Sequence, residues 1–492
     1  AGGSISKIFV RNYTNMKLIL FRKIKNISFI LSFHKISLVL IIVFGLLARA
    51  YKMPMVISYD EAATYLDYCD GGFTSFLKIW NVNNHLVNTL LMKVSIEIFG
   101  NDVIALRLPS FIFGFTNHLL IYYISKKLYE KKIALFSTFL YSCTPLLIHY
   151  ESQARGYSIK VTFTLLLFIA CFHFLQKPNK TYLVLVSFVS SLGFLTIFSF
   201  IFPFFGFLIW ITYDLFKQKR FKRKIIFKNI FQIVIYTKII SVFFYTPSII
   251  LSNGISSILK AAKEGNVNVY GSFPDGIPTF FTNLINILFF NNNNLAIVVF
   301  CILIYTVLKE EKLKYILLSH FASAIVINVA ASAIFPSRVF IYITPFIIIP
   351  TAVFISNILF TVKNFYFATL PILQMLIFFY FFQNNIVKKY HDNMSGDVIN
   401  VVNKLKKLAP NTSKSKILLN AHPGIYKSFK YYQRTNNLTT IEMYGEKNNS
   451  NNIHPIDQNT YVVSYKNNIM KENSFIKVFE GEFFEIHKSK NL

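Results

Sequence analysis

Cysteine is scarce in this chain, and no internal repeat is visible in its sequence. The four cysteines among 492 residues are too few and too scattered for a disulfide framework or a zinc site. The absence of a repeat argues against transporter folds that are built from duplicated halves. Apolar residues, by contrast, make up 54% of the chain, which includes 54 Phe and 28 Tyr. With a mean hydropathy of +0.46, this composition argues against a soluble globular protein and indicates an integral membrane protein.

Acidic residues are also few, and the net charge is +29. The basic residues do not suggest a nucleic-acid-binding surface, because they cluster in short connectors between apolar runs. Such connectors usually lie in the cytoplasm, so we expect a cytoplasmic N-terminus and no nucleic-acid partner. The first apolar run lacks a persuasive small-residue cleavage site, so we expect it to remain as a helix. The clearest basic connectors are 126–132, 177–180, 217–228 and 309–314.

The apolar runs predict a polytopic α-helical membrane protein with about eleven transmembrane helices. These helices are predicted near 36–50, 104–124, 133–148, 158–175, 182–197, 199–215, 230–249, 283–308, 315–334, 339–357 and 365–382. With the basic connectors in the cytoplasm, an odd helix count places the C-terminus outside. Helix-like and strand-like stretches alternate after residue 383, which predicts a small extracytoplasmic α/β domain. We therefore divide the chain into a membrane domain, 1–382, with a first outer loop at 51–103, and a soluble domain, 383–492.

The first outer loop carries two adjacent carboxylates, Asp60 and Glu61, about ten residues past the first helix. A carboxylate at the membrane surface is well placed as a general base towards a hydroxyl acceptor, because partial desolvation raises its basicity. The alternative is structural, with Ser58 as a helix N-cap and both carboxylates in the first turn. The two interpretations are compatible with each other.

Further polar residues lie at other predicted outer positions. His85 precedes a helical apolar segment of the first loop, and a single histidine is more often structural than catalytic. The segment HYESQARGYS (149–158) places Glu151, Arg155 and Tyr157 at the outer end of the fourth helix. Whether these residues form one site with Asp60 depends on how the helices pack.

A short outer turn, FPSRVFIYITPF (335–346), contains Arg338, with Tyr342 one turn deeper. Arginine at a membrane interface is commonly an anchor that reaches the headgroup region. An arginine that faces the bundle interior can instead bind a phosphate through its planar fork of donors. Arg155 and Arg338 are expected at the same outer plane, which is the depth of a lipid phosphate.

Five motifs resemble, in order, those of the GT-C superfamily of membrane glycosyltransferases. They are SYDEAATY, NNHLVNTLLMK, ALRLPSFIFG (105–114), ESQARGYS and PSRVFIY. Within that superfamily the chain is most similar to the protein O-mannosyltransferase and aminoarabinose-transferase type. The resemblance covers about the first 175 residues well and the region near 335–345 weakly.

The resemblance implies transfer of a sugar, with inversion, from a polyprenyl-phosphate donor to an acceptor outside the cytoplasm. The acceptor can be a protein, a lipid or a glycan. The resemblance assigns the role of catalytic base to Asp60, with Glu61 beside it. It also implies that His85, in the first outer loop, contributes to the site. It assigns binding of the donor phosphate to Arg155 and Arg338.

Three further residues are predicted to belong to the same site. Tyr157 and Tyr342 are grouped with the substrate-binding residues because each lies beside one of the two arginines. Many relatives carry an acidic residue two positions before the first arginine, where this chain has Gln153. Glu151 is therefore a second catalytic carboxylate only if it reaches the site.

The expected partners are the lipid-linked donor, its acceptor and membrane lipids. No cofactor is required for such a reaction; a divalent metal ion is compatible with it, but no ligand cluster indicates one. A lipid-linked oligosaccharide flippase and a polysaccharide polymerase or ligase remain alternative functions. The Lys- and Asn-rich composition suggests a bacterial source, and therefore the inner membrane.

Overall fold

The structure is a computed structural model of the chain. It describes residues 33–79, 83–219, 222–252, 304–305, 311–331, 335–359, 366–383, 393–408, 416–420, 423–435, 441–443, 460–465, 475–480 and 484–489.

Helices account for most of the described residues up to 383. In chain order they are α1 (Phe33–Lys52), α2 (Tyr59–Thr64), α3 (Leu86–Phe99), α4 (Val103–Leu128), α5 (Lys131–Cys143), α6 (Pro145–Glu151), α7 (Tyr157–Gln176), α8 (Lys180–Thr196), α9 (Ile201–Lys217), α10 (Arg223–Leu251), α11 (Glu311–Ala330), α12 (Thr344–Leu359) and α13 (Tyr366–Gln383). A π-helical turn, Tyr65–Cys69, extends α2, and 3₁₀ turns occupy Ser75–Leu77, Phe198–Phe200 and Ser337–Ile343.

Among the described residues, seven helices are long and apolar enough to cross a membrane. They are α1, α4, α7, α10, α11, and α9 and α12 together with the 3₁₀ turns that precede them. The pair α5 and α6 bends by 66° and counts as an eighth span if the two are taken together. Pro145 is the first residue of α6. Backbone N–H groups in the first turn of a helix have no acceptor within the helix, so proline, which has no N–H, is tolerated there.

The helical membrane fold predicted from the sequence is therefore confirmed in outline. The predicted segment 283–308 lies almost entirely outside the described residues, so the count of eleven helices stays a prediction. The segments predicted at 182–197 and 365–382 coincide with apolar helices that are shorter than the spans above.

Helix α7 is the centre of the bundle and packs against α4, α8 and α9. Phe168 on α7 stacks on Trp210 of α9 with ring centroids 5.6 Å apart, and its ring also lies 5.8 Å from that of Phe346. Small polar side chains allow α4 and α7 to approach closely, since Ser158 donates a hydrogen bond to the Ser110 carbonyl at 2.9 Å. The outer end of α7 is thereby held next to α4.

The residues after 393 form two helices and a mixed five-stranded sheet. The helices are α14 (Asn393–Leu408) and α15 (Pro423–Thr435); the strands are β1 (Lys416–Asn420), β2 (Ile441–Met443), β3 (Thr460–Tyr465), β4 (Phe475–Glu480) and β5 (Phe484–Ser489). The strand order is β2-β1-β3-β5-β4. Strand β1 is parallel to β2 and β3, whereas β5 is antiparallel to β3 and β4. The domain boundary at 383 and the extracytoplasmic position stay predictions.

Helix α15 packs on the first outer loop. The Tyr432 hydroxyl accepts a hydrogen bond from the Ile57 backbone N–H at 3.0 Å, and the rings of Tyr65 and Tyr431 meet edge to face. Two ion pairs lie nearby, Lys427 with Asp67 and Arg434 with Asp70. The loop that carries Asp60 is thus held between the helix bundle and the C-terminal sheet.

Candidate active site

Arg107 of α4 fixes the beginning of the first outer loop. Its guanidinium is buried and donates hydrogen bonds to three backbone carbonyls, those of Met53 at 2.8 Å, Met55 at 2.6 Å and Val56 at 3.0 Å. It also donates two hydrogen bonds of 2.7 Å to the Glu61 carboxylate. A planar guanidinium suits this arrangement, because its five donors point in fixed directions.

Glu61 joins α2 to the segment between α6 and α7. Its buried carboxylate accepts from the Ser58 N–H at 3.0 Å and hydroxyl at 2.9 Å, and from the Ala154 N–H at 2.7 Å. Burial alone would raise the pKa of Glu61, but the Arg107 charge and these hydrogen bonds lower the pKa to about 2. The predicted N-cap at Ser58 is confirmed, and the structure gives Glu61 a capping and bridging position.

The segment between α6 and α7 is held from both sides at Arg155. Ser110 of α4 donates to the Arg155 carbonyl at 3.1 Å. On the other side, the Gly156 N–H donates to His85 Nδ1 at 3.0 Å. A Cβ at Gly156 would lie 3.0 Å from that same ring nitrogen, so only glycine fits without displacing the histidine. The backbone at Arg155 is therefore fixed, and the Arg155 side chain extends from it towards α2.

Asp60, Arg155 and Arg338 converge although they come from three separate segments. The Asp60 Oδ2 atom lies 3.8 Å from Arg155 Nη2 and 3.9 Å from Arg338 Nη1. Both distances exceed a hydrogen bond. Asp60 and Arg338 are 42% and 37% exposed, whereas Arg155 is 4% exposed and donates to Thr64 Oγ1 at 2.9 Å. Two guanidinium groups thus face one accessible carboxylate, which leaves an excess positive charge at the mouth of the site.

Arg155 also has unused hydrogen-bonding capacity. Its Nε atom is buried and has no hydrogen-bond partner among the residues that the structure describes. A buried donor without a partner costs free energy unless a ligand or water satisfies it. Because the side chain is almost fully buried, the alternative prediction, that Arg155 anchors the protein at the lipid interface, does not fit its surroundings.

His85 is buried beside Arg155 and carries no charge. Because Nδ1 accepts the Gly156 N–H, the proton of the neutral ring is on Nε2. Burial, followed by the positive charges of Arg155, Arg338 and Lys160, lowers the pKa of His85 well below its ordinary value. The ring also meets that of Tyr157 edge to face, with centroids 5.8 Å apart. His85 is therefore a neutral group that orients the outer end of α7.

Lys160, on the buried side of α7, fixes the turn that carries Arg338. Its ammonium donates to the Val339 carbonyl at 2.7 Å and to Ser199 Oγ at 2.9 Å. It also lies 5.1 Å from the ring centroid of Tyr342, which is buried. Sequence analysis missed Lys160, although a lysine within an apolar helix is itself a signal of a buried polar site.

Glu151 belongs to a separate buried network. Its carboxylate accepts hydrogen bonds from Arg49 Nε at 2.6 Å, from Asn117 Nδ2 at 2.9 Å and from the Tyr141 hydroxyl. A Cβ at Gly114 would lie 3.0 Å from the Cβ of Glu151, so α4 and α6 touch here. The network joins α1, α4, α5 and α6, and within the described residues no hydrogen bond or ion pair links Glu151 to Asp60. Its predicted catalytic role stays a prediction.

Metal-ligating side chains do not cluster in the described part of the chain. No group of three or more His, Cys, Asp or Glu side chains there could hold a metal ion. The cysteines at 69, 143 and 171 are buried thiols without a disulfide partner.

The chain is similar to known membrane glycosyltransferases in sequence over one segment and in fold over most of its length. Residues 85–244 match the family described as dolichyl-phosphate-mannose-protein mannosyltransferase. The structure of ArnT from Cupriavidus metallidurans bound to undecaprenyl phosphate is similar over 91% of this chain and 97% of that one, with a TM-score of 0.61 and 11% identity. The oligosaccharyltransferase of Archaeoglobus fulgidus, with a tethered acceptor peptide, has a TM-score of 0.44 and 10% identity over 81% of this chain and 63% of that one. No curated protein matches the chain.

The chain has the same membrane fold as ArnT, and its residues 85–244 match the mannosyltransferase family model. The resemblance predicted from the five motifs is thereby confirmed. The family match begins at His85 and takes in α3 to α9 and most of α10, whereas the similarity to ArnT covers 91% of the chain.

Proposed function

We propose that this protein is an inverting glycosyltransferase that moves a sugar from a polyprenyl-phosphate donor to a protein, lipid or glycan acceptor outside the cytoplasm. The observation that carries the proposal is the convergence of Arg155 and Arg338 on Asp60. The similarity to ArnT, whose structure holds undecaprenyl phosphate, supports a lipid-linked donor.

The two arginines form the donor-phosphate site. Arg155 is buried and held by the backbone around it, so its guanidinium is oriented before the donor arrives. Arg338, in the 3₁₀ turn Ser337–Ile343, is more exposed and completes the site. As the C1–O bond to the phosphate breaks, negative charge grows on the leaving phosphate. Two fixed positive charges stabilise that charge and lower the barrier.

Asp60 is the general base. It removes the proton of the acceptor hydroxyl while the acceptor oxygen attacks C1 from the face opposite the phosphate. One C–O bond forms, one breaks, and the proton goes to Asp60. Without a donor, both arginines face Asp60; when the phosphate engages them, the carboxylate is released to accept the proton of the acceptor hydroxyl. Donor binding thereby prepares the base.

The remaining residues position these three. Glu61 has both carboxylate oxygens engaged by Arg107 and backbone N–H groups, so it holds α2 rather than accepting a proton from the acceptor. His85 and Tyr157 orient the outer end of α7. Tyr342 packs under Lys160 and supports the Arg338 turn. The reaction needs no cofactor, since phosphate is already a good leaving group.

The distribution of basic connectors supports the predicted orientation. Asp60, Arg155 and Arg338 lie near the ends of α2, α7 and α12 opposite the basic connectors, which supports a site on the outer face of the membrane. For a bacterial protein this is the periplasmic face of the inner membrane, where polyprenyl-phosphate sugars are exposed.

The test is sugar transfer in membranes that contain the protein. Radiolabelled polyprenyl-phosphate sugars are offered in turn, and label in protein, lipid and glycan fractions is counted for the intact protein and Asp60→Asn at matched expression. Asp102→Asn is the control, because Asp102 caps α4 through the Val103 N–H and asparagine caps equally well. Transfer is expected to fall about a thousandfold in the Asp60 variant and to persist in the control.

Two outcomes would overturn the proposal. If no donor is consumed while a labelled lipid-linked sugar still crosses the bilayer, the protein is a flippase and Asp60 is a helix-capping residue. If label passes from one lipid-linked glycan to another and Asp60→Asn transfers normally, the base lies elsewhere and a polymerase or ligase function gains support.

A further inference from the structure

A second cavity lies at the opposite end of the bundle from Asp60. Its volume is about 540 Å³, within the range of small-molecule sites. It lies where α4, α7 and α9 end and α11 begins, with Gln176 on its rim. Gln176 is the last residue of α7, and at 1.5 Å per residue it lies roughly 30 Å from the outer end of that helix. The cavity is therefore separate from the candidate active site by about the thickness of a bilayer.

Charged groups of both signs line this cavity. Lys127 of α4 and Lys217 of α9 are exposed at its rim. Lys127 Nζ contacts His173 Nε2 at 3.0 Å, and Lys217 Nζ lies 4.8 Å from the ring centroid of Tyr315. Within the described residues their partners are thus neutral, and both ammonium groups keep their full charge for an anion. Asp214, one turn before Lys217, contributes a carboxylate to the same cavity.

The inner wall of the cavity is apolar. It is formed by Phe168, Phe172 and Trp210, and a small apolar cleft continues from it between α4 and α7. Ile124 and Ile169 line that cleft about one turn closer to the middle of the membrane. A ligand that contacts both the charged rim and the apolar wall of the cavity needs a charged head and a hydrocarbon tail. This shape favours a membrane lipid over a soluble phosphate.

We propose that this cavity binds an ethanolamine-type phospholipid, with its phosphate between Lys127 and Lys217 and its ammonium group at Asp214. Basic pockets between transmembrane helices on the cytoplasmic side are suited to lipid headgroups. The carbonyl ends of α4, α7 and α9 also converge here, and their partial negative charge favours a ligand that carries an ammonium group as well as a phosphate. One acyl chain then lies along the apolar wall formed by Phe168, Phe172 and Trp210. The proposal does not rest on the transfer reaction.

The test measures lipid binding to the purified, delipidated full chain in detergent. Native mass spectrometry counts bound lipid, and the thermal unfolding midpoint is followed as lipid is added. Phosphatidylethanolamine, phosphatidylglycerol, phosphatidylcholine and glycerol 3-phosphate are compared. Phosphatidylethanolamine is expected to bind best, since phosphatidylglycerol lacks the ammonium and the choline headgroup has no N–H to donate to a carboxylate.

Variants assign the contacts. The double variant Lys127→Gln/Lys217→Gln is expected to weaken phosphatidylethanolamine binding about tenfold or more. Asp214→Asn is expected to remove the preference over phosphatidylglycerol. Lys180→Gln is the control, because Lys180 is exposed at the start of α8 and does not line the cavity. All four residues are at least partly exposed, so the variants are expected to fold.

Several results would contradict the proposal. Equal stabilisation by glycerol 3-phosphate would indicate a site for a soluble phosphate. Equal binding of phosphatidylglycerol to the intact protein would remove the role of Asp214. Unchanged lipid binding in the double lysine variant, or an equal loss in Lys180→Gln, would show that lipid associates with the surface of the bundle in general.

Discussion

Arg107 binds Glu61 through two parallel hydrogen bonds, Nε to Oε1 and Nη2 to Oε2, each 2.7 Å long. Both side chains are buried, and they are 46 residues apart in the chain. A buried ion pair contributes little net stability compared with apolar residues, but removing one partner leaves an uncompensated charge. The value of this pair therefore lies in fixing α2, and with it Asp60, relative to α4.

Replacing Arg107 by methionine should destabilise the fold strongly. The Glu61 carboxylate would lose its counter-charge, and the carbonyls of the first loop would lose their donor, at a cost of about 3–5 kcal/mol. Unfolding in detergent, followed by helix content against denaturant, measures the loss. Lys477→Met is the control, because the exposed pair of Lys477 with Glu480 should contribute less than about 1 kcal/mol. Similar losses in both variants would show that the Arg107 pair has no special role.

The stability of the protein should depend on Glu61 in acid. Its pKa is lowered from 4.5 to about 2 in the folded chain, so the unfolded state binds the proton first as the pH falls. The stabilisation is complete above pH 4.5 and is lost between about pH 4.5 and 2, amounting to ~3 kcal/mol. Glu61→Gln should be less stable at pH 7 and show a flatter loss below pH 4.5. An unchanged acid profile would mean that other carboxylates dominate.

The free energy of unfolding should fall in mild acid because His85 is held in its neutral form in the folded chain. Its pKa is lowered by burial and by neighbouring positive charges, so the unfolded chain takes up a proton below about pH 6.5 while the folded chain does not. Stability from this residue is present above that pH and falls as the pH drops. Labelled-histidine NMR should find one neutral ring with its proton on Nε2 at pH 6. An imidazolium signal for His85 at that pH would contradict this.

Part of the site was predictable because it depends only on which side of the membrane a residue faces and on its depth in the membrane. Asp60, Arg155 and Arg338 follow apolar runs whose orientation is set by the basic connectors, so their common plane could be inferred. Their convergence could not, since it depends on how the segment between α6 and α7 is held by Ser110 and His85.

Arg107 and Lys160 were not predicted for a different reason. Each is a single charge in an apolar helix. Besides Glu61 for Arg107 and Ser199 for Lys160, the partners are backbone carbonyls, which have no sequence signature. Glu61 and Glu151 seemed equivalent in sequence, yet one caps α2 and the other joins four helices far from Asp60. Which carboxylate stays exposed depends on tertiary packing.

In the C-terminal part, the sequence predicts a helix at 398–408 and strands at 416–420, 439–444, 460–465 and 475–481. These segments coincide with the end of α14 and with β1 to β4. Helix α15 was missed because Pro423 and Gly424 at its start are typical of a loop. Strand β5 was missed because Glu485, His487 and Lys488 leave only two apolar positions in six residues. Pairing with β3 and β4 on both sides overrides that weak pattern.

The contact between Tyr432 and Ile57 should stabilise the first outer loop. Tyr432→Phe leaves the Ile57 N–H without its acceptor at the edge of a buried cluster, which costs about 1–3 kcal/mol. Limited proteolysis should then cut the loop near Ile57 more rapidly than in the intact protein. Tyr426→Phe, on the same helix, changes a hydroxyl without such a hydrogen bond and serves as the control. Equal protease resistance in the two variants would remove this role.

Lys160 should affect donor binding through Arg338 rather than by touching the acceptor. Lys160→Met removes the hydrogen bond to the Val339 carbonyl, so the neighbouring Arg338 is no longer held towards Asp60. A hydrogen bond from a charged group is worth about 1.5–3 kcal/mol, so the KM for the lipid-linked donor should rise about tenfold or more. The KM for the acceptor should change little, because Lys160 donates to Val339 and Ser199 and not to Asp60.

Lys93→Met is the matched control for that measurement. Lys93 is also buried and donates to backbone carbonyls, those of Cys69 at 2.8 Å and Gly71 at 3.1 Å, but it holds the first loop and not the Arg338 turn. Both variants should lose thermal stability, since both remove a buried ammonium from its acceptors, yet only Lys160→Met should raise the donor KM. If the two variants raise it equally, the effect follows from general loosening of the fold. If Lys160→Met lowers the rate at saturating donor with an unchanged KM, Lys160 acts on the transition state and Arg338 is held by other contacts.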